Sequence, residues 1–438
     1  QNIECTIQAY VRESFANVSI AIEIPPPELK SVLSTARILA DDGMNGPLEL
    51  KGDGLRRAVV FSILRAYVEL ARAAAKEGEE VGAMVSERGY LMLFEEPELF
   101  LHPGAQKILF DAIGVFSKKH HVVVTTHSPL FLGPDATATF VRLSKTEMEG
   151  IPRPFTKACP IELTGISSRD EFQLICFENN NAAFFAKRIV LVEGDSDLIV
   201  LPHIAETLDA KWNCRSNSVA FVRVSGKGSI ARYRNFFKRF DVPLFVITDL
   251  DTIDNGFDKL EPTDAAKTLR SELLKKADLA NAGAGLPGTL KTEVIKVAQN
   301  NKGIQELWAV VRAAKIAFDE DKSRYADLDA AVDAFFAWEK QDIRRECIRR
   351  AGQPDVSAAK LALIWELRKN GVFVLERGTL EDYYPAEVTG SDKPSRAQAF
   401  RNTFIQREQI LALSPQQTCP VTGKVSSEFE FMFSAIFS

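Results

Sequence analysis

The 438-residue chain has no Cys-x-x-Cys pair, no apolar run long enough to cross a membrane, and no Gly-x-x-x-x-Gly-Lys-Ser/Thr phosphate loop. Each absence excludes something. Its six cysteines, Cys5, Cys159, Cys176, Cys214, Cys347 and Cys419, are scattered. They read as free thiols in a reducing cytoplasm rather than as disulfides or a zinc site. With no spanning segment, the chain is expected to be cytoplasmic and not to engage a membrane. Without the phosphate loop, it is not expected to bind ATP well by itself. Gly226-Lys227-Gly228-Ser229 lacks the upstream glycine, and Gly423-Lys424-Val425 lacks the Ser/Thr. Gly283-Ala284-Gly285-Leu286-Pro287-Gly288 matches a dinucleotide fingerprint in letters, but it follows helical sequence, contains proline and reads as a loop. The chain begins at Gln1 with no initiator Met and no signal-peptide pattern, and so reads as a piece of a longer protein.

A net charge of −5 does not mark a nucleic-acid binder. It hides an asymmetry, however. Arg223, Lys227, Arg232, Arg234, Lys238 and Arg239 follow one another with no acid between them. Such a stretch is either a solvated helix face or a phosphate-binding surface. It separates two acidic clusters, each at the end of a short apolar strand. One is Ile189-Val190-Leu191-Val192-Glu193-Gly194-Asp195-Ser196-Asp197, and the other Leu244-Phe245-Val246-Ile247-Thr248-Asp249-Leu250-Asp251. Strand-end carboxylates in a parallel sheet sit at its C-terminal edge, where α/β proteins place their sites. Gathered there they repel one another unless cations hold them, which points to divalent metal and phosphate chemistry. Helix capping is the plain alternative for Asp195 and Asp197, and turn chemistry for Asp254. Neither suits Glu193, Asp249 and Asp251, because unpaired carboxylates at apolar strand ends are costly.

The pattern along the chain predicts α/β architecture. Residues 1–50 read as strands and a turn-rich connection, broken by Pro25-Pro26-Pro27. A long helix runs from about Leu55 to Lys76, then a strand Tyr90–Phe94, a helix from about Pro103 and a strand at 121–125. A second α/β alternation starts near Lys187, with strands at 188–192, 219–224 and 243–248 and helices near 196–208 and 229–240. Residues 260–368 read as a helical insertion. Val372-Phe373-Val374-Leu375 resumes the sheet, and 386–438 read as helix plus an aromatic tail.

Three features of the first 130 residues fit together. Leu91-Met92-Leu93-Phe94-Glu95-Glu96-Pro97 is an apolar strand ending in two acids; in nucleotide hydrolases such acids hold Mg²⁺ and polarise the attacking water. A later strand ends in Thr126-His127-Ser128, whose histidine can reach a γ-phosphate. Gly52-Asp53-Gly54 opens the long helix, where backbone N–H groups favour anions. This set resembles the second half of an ABC-type ATPase head. Gly52 and Gly54 then stand in a degenerate signature motif, Glu95 and Glu96 at the Walker B end, Glu98 to Pro103 in the D-loop region, and His127 at the switch position.

Glu193-Gly194 and Asp249-Leu250-Asp251 resemble the strand-end glutamate and Asp-x-Asp of a Toprim domain. With the ATPase set in front, the chain is similar over about 40–400 to OLD-family (overcoming lysogenization defect) nucleases. Glu381-Asp382-Tyr383-Tyr384-Pro385 and Lys393 fit that family as well, and the helical insertion resembles its class 2 members. The fold so implied is α/β: a partial ABC-type ATPase lobe (1–165), a Toprim parallel-sheet domain (183–260), a helical insertion (261–368), and Toprim completion with a C-terminal tail (369–438).

The resemblance implies a metal-dependent DNA endonuclease with two Mg²⁺ or Mn²⁺ ions per site, where Ca²⁺ can also sit. Glu193, Asp197, Asp249, Asp251, Asp254 and Glu381 would share the ligation. Glu193, or hydroxide supplied by the cations, would act as base. Lys393 would stabilise phosphorane charge, and Gly226 and Lys227 would approach the scissile phosphate. Arg223, Arg232, Arg234, Lys238 and Arg239 would hold flanking DNA phosphates. ATP would bind only the full-length protein, joining two subunits through the ATPase domain. Relatives of this architecture take part in phage defence. The alternatives are a primase-like nucleotidyltransferase, which needs a triphosphate motif not found here, a type II topoisomerase lacking a clear active tyrosine, and an ATP-gated DNA scaffold.

Overall fold

A computed structural model describes residues 2–23, 37–76, 91–118, 120–131, 140–146, 150, 152–161, 180–224, 226–283, 302–350 and 352–438. They fall into two units, Gln1–Phe185 and Ala186–Ser438.

The first unit opens with a helix, α1 (Asn2–Ser14), where strands were expected. Ile7 and Val11 recur at helical spacing and are buried with Ile20, Leu55 and Val59. That short stripe is diluted by polar residues, so periodicity alone underweights it. The Gln8 amide ties α1 to the next strand, donating to Val18 O (2.8 Å) and accepting the Ile20 N–H (2.7 Å). Strands β1 (Ser19–Glu23), β2 (Arg37–Asp41) and β3 (Asn45–Pro47) form an antiparallel sheet. Pro25-Pro26-Pro27 lie outside the described residues. The long helix α2 (Asp53–Lys76) follows. Strands β4 (Leu91–Glu95) and β5 (His121–Thr125) pair in parallel, with α3 (Pro103–Ser117) between them in sequence. Their in-register pairing sets Glu95 opposite Thr125. An antiparallel pair follows, β6 (Phe140–Thr146) with β7 (Phe155–Ile161).

The second unit is built on an all-parallel sheet of β8 (Arg188–Val192), β9 (Val219–Arg223), β10 (Leu244–Thr248) and β11 (Val372–Val374), in the order β11-β10-β8-β9. A central parallel strand is covered on both faces and so needs an unbroken apolar run. Ile189, Val190, Leu191 and Val192 supply it, each at most 1% exposed. Val190, Val192, Ile247 and Phe373 pack with helices α4 (Asp195–Leu208), α10 (Lys393–Thr403) and α12 (Glu428–Phe437). Helices α5 (Ile230–Phe237) and α9 (Pro354–Arg368) lie against β10 and β11 respectively. The expected aromatic tail is α12 itself, which buries Phe429, Met432, Phe433 and Ile436 at i, i+3, i+4 and i+7.

Between β10 and β11, the described part of 261–368 is helical, as α6 (Asp264–Gly283), α7 (Lys302–Glu320), α8 (Tyr325–Arg350) and α9. Of the glycine run read as a loop, Gly283 ends α6 and 284–288 lie outside the described residues. Helix α11 (Arg407–Leu413) and a short antiparallel pair, β12 (Gln416–Thr418) with β13 (Val425–Ser427), lead into α12.

Candidate functional site

Because β8 and β10 are adjacent and parallel, the residues that follow them emerge at the same edge of the sheet. Glu193 follows β8, and Asp249 follows β10. Glu193 Oε1 accepts the Asp249 N–H (3.1 Å) and hydrogen bonds from the Thr248 and Thr252 hydroxyls. Both threonines are buried and fix the glutamate. Sequence reasoning passed over them. The signal was present, since Thr248 is the polar end of an otherwise apolar strand.

Asp197 stands one turn into α4 and accepts the Gly194 N–H through Oδ2 (2.9 Å), so it caps its own helix while facing the cluster. Burial, with repulsion from Glu193 and Glu381, pushes its pKa to about 6. Asp249 is pushed further, to about 8, by burial and then by Glu193, Asp197, Asp251 and Glu381. One carboxyl group thus feels four others, contributed by segments after β8, β10 and β11.

Glu381 sits in the turn after β11. Burial would raise its pKa, but its own backbone N–H and Lys393 bring it below the ordinary value. Lys393 Nζ lies 3.2 Å from Glu381 Oε1. Burial acts to lower the lysine's pKa, and Glu381, Asp249 and Asp197 together raise it. The loops after β10 and β11 are joined directly, since the Leu250 N–H donates to Gly378 O (2.9 Å).

The loop after β9 reaches the same edge. The Gly226 N–H donates to Glu193 O (3.2 Å), and Gly226 has φ +96°, a conformation suited to glycine. Lys227 Nζ contacts Asp251 Oδ2 at 2.5 Å. Asp251 Oδ1 is buried without a hydrogen-bond partner. A buried carboxylate oxygen without a partner, on an acid that repels Asp249, suits an oxygen-ligated divalent cation. Among the described residues, no three His, Cys, Asp or Glu side chains are yet drawn together as a ready ligand cage. Lys227 and Lys393 hold two of the acids instead.

Other expected site residues sit apart from this grouping. Asp254 is paired with Arg345 Nε (2.8 Å) and Arg344 (3.6 Å). Arg234 is buried, donates to Leu260 O and lies near Glu261, so it braces the fold. Arg223 pairs with Asp195 (2.7 Å), and Lys238 with Glu261. Arg232 is exposed, and the Arg239 guanidinium lies over the Phe236 ring.

In the first unit, Gly54 approaches the chain closely: a Cβ there would come within 2.9 Å of Phe100 O. Gly52 precedes α2 in open space. Glu95 ends β4 exposed, and Glu96 takes φ +44° with its N–H on Thr125 O (2.9 Å). His127 Nε2 is 3.4 Å from Glu96 Oε1. Glu98, read from sequence as the start of the D-loop region, is buried and accepts from the Thr126 hydroxyl and the His127 N–H (3.1 Å). It holds the segment that carries His127.

Residues 184–251 match the family described as overcoming lysogenization defect protein-like, TOPRIM domain, and residues 3–132 match the AAA ATPase domain family. The Old nuclease of Escherichia phage P2 is 22% identical over 260 residues, 58% of this chain and 43% of that protein. The OLD nuclease of Thermus scotoductus is 25% identical over 211 residues, 47% of this chain and 37% of that protein. The matches thus span about two-fifths of the length of these relatives. Among solved structures, the C-terminal region of the Xanthomonas campestris pv. campestris OLD protein is 18% identical, covering 58% of this chain and 94% of that one at a TM-score of 0.20. Residues 3–132 and 184–251 thus match, in that order, an ATPase domain family and an OLD-like TOPRIM family, the pairing to which the motifs pointed.

Proposed function

We propose that the second unit is a divalent-metal-dependent DNA endonuclease that hydrolyses phosphodiesters. The gathering of Glu193, Asp197, Asp249, Asp251 and Glu381 at one edge of a parallel sheet carries this reading. The nuclease names of the relatives support it. These five acids would hold Mg²⁺ or Mn²⁺. A pair of such cations supplies charge stabilisation to the attacking and leaving oxygens.

The chain's own side chains do the rest. Glu193, oriented by Thr248, Thr252 and the Asp249 N–H, is the group set to take a proton from the attacking water. Lys393 and Lys227, held at Glu381 and Asp251, would offset developing negative charge on the phosphate. Arg232 and Arg239 would give sequence-independent contact to flanking phosphates. In the full-length protein, the ATPase segment would pair two copies around ATP and govern DNA access, in phage defence. The helices of the insertion support a reading of the chain as similar to class 2 OLD nucleases.

Supercoiled plasmid incubated with the chain and Mg²⁺ or Mn²⁺ should be nicked or linearised. Glu193→Ala and Asp249→Ala should abolish cutting and keep most DNA binding. ATP should leave the rate of this chain unchanged. Uncut plasmid with retained DNA binding would replace the nuclease by a scaffold, and label incorporated into primers would replace it by a nucleotidyltransferase.

A further inference from the structure

Helix α8 belongs to the insertion, yet it grips two of the loops that carry the acids, those after β10 and β11. Arg345 Nε donates to Asp254 Oδ2 (2.8 Å), and Arg344 approaches Asp254 Oδ1 (3.6 Å). The Asp254 side chain is only 7% exposed. Its backbone N–H donates to Asp251 O (3.1 Å), so the pair sits directly behind the Asp251 turn. From α6, Arg270 fastens the same turn through Ile253 O (2.5 Å) and Asp254 O (3.0 Å). One turn along α8 from Arg345, Arg349 Nη1 donates to Asp382 Oδ1 (3.2 Å). Asp382 is the neighbour of Glu381, and its Oδ2 accepts the Thr379 N–H (2.8 Å) that opens the Glu381 turn. Gly378 leaves room for this grip: a Cβ there would collide with Asp382 Oδ2 and come within 3.3 Å of Arg349 Cδ.

We propose that α8 is a positioning clamp for the carboxylate site, with Arg345 setting the Asp251 loop through Asp254 and Arg349 setting the Glu381 loop through Asp382. Asp254 is then an anchor rather than a cation ligand. This rests on reading the sheet edge as the metal site. The physical need is plain. The acids repel one another, and loops free to splay would hold cations poorly, whereas one rigid helix fixes the spacing of both. The arginines touch no reacting group and act only through the loops.

The test compares Arg345→Gln, Arg349→Gln and Asp254→Asn in the whole chain, by hydrogen–deuterium exchange without metal and by Mn²⁺ titration with electron paramagnetic resonance. Arg345→Gln should speed exchange in 249–255, and Arg349→Gln in 379–384, with the rest of the sheet unchanged. Mn²⁺ affinity should fall about ten- to a hundredfold, the usual scale for partners of ligands. Arg345→Gln and Asp254→Asn combined should do no more than either alone. Unaltered loop exchange, exchange rising across the whole unit, or additive effects in the double variant would overturn the clamp. Should Arg345→Gln fail to fold, Arg349→Gln, in a more exposed pair, decides the matter. Glu193→Gln separates the two ideas: normal plasmid cutting by that variant removes the metal-site reading and leaves the exchange result standing.

Discussion

Lys227 Nζ lies 2.5 Å from Asp251 Oδ2, while the other oxygen of that carboxylate is buried without a partner. The lysine and an incoming cation therefore compete for one group. Lys227→Met should hold Mn²⁺ at least as tightly as the parent chain. Its plasmid nicking should fall about a hundredfold, because a cation aimed at the phosphate is lost. A parallel loss of Mn²⁺ affinity would contradict this division of roles.

Asp249 titrates near 8 because burial and four neighbouring acids oppose its ionisation. Its folded pKa lies above the ordinary 3.8, so the ionised form weighs against the fold, and stability is lost as pH rises from there through about 8. Asp249→Asn removes that penalty. Without metal, its Tm should exceed the parent's by a growing margin between pH 5 and pH 8.5, at about 2–4 °C per kcal/mol. Added Mn²⁺ should raise the parent's Tm and barely move the variant's. Scanning calorimetry at several pH values, with and without Mn²⁺, checks both.

Glu428 is fully buried at the start of α12, accepting from Tyr383 OH (2.5 Å) and the Glu376 N–H (2.8 Å). Burial lifts its pKa to about 7, against the pull of Tyr383 and Arg368. The stability tied to its neutral form is complete below its ordinary 4.5 and is lost as pH climbs through about 7. Against Glu428→Gln, the parent should lose about 3 kcal/mol in urea unfolding between pH 4.5 and pH 8. Equal slopes for the two proteins would contradict the assignment.

Arg232 and Arg234 are two residues apart with opposite surroundings. Arg232→Gln should weaken DNA binding across sequences and reduce the salt slope by about one, with Tm unchanged. Arg234→Gln should destabilise by about 1–3 kcal/mol, through the unmet Leu260 carbonyl. Fluorescence anisotropy over a salt series and thermal melts distinguish them.

Much of the architecture was legible in the residues. The runs before Glu193 and Asp249 are unbroken and apolar, as strands covered on both faces must be, and the acids after them had to emerge at one edge of the parallel sheet. Helix α1 was missed because its buried stripe is short, and Thr248 and Thr252 because a polar residue's partner does not show in its own neighbourhood. The basic stretch read as one surface divides in the fold, since a helix turns Arg234 inward and leaves Arg232 outside.

By itself, the order of strands, acids and glycines determined the two domain types and the edge where the carboxylates meet, because apolar runs and tight turns are local properties of a chain. Tertiary structure alone decided which acid was orphaned and which was claimed. Asp251 and Asp254 are three positions apart in similar sequence, but Arg345 reaches Asp254 from 91 residues away. Electrostatic partners are chosen by distance in space, and that distance is set only when the insertion packs.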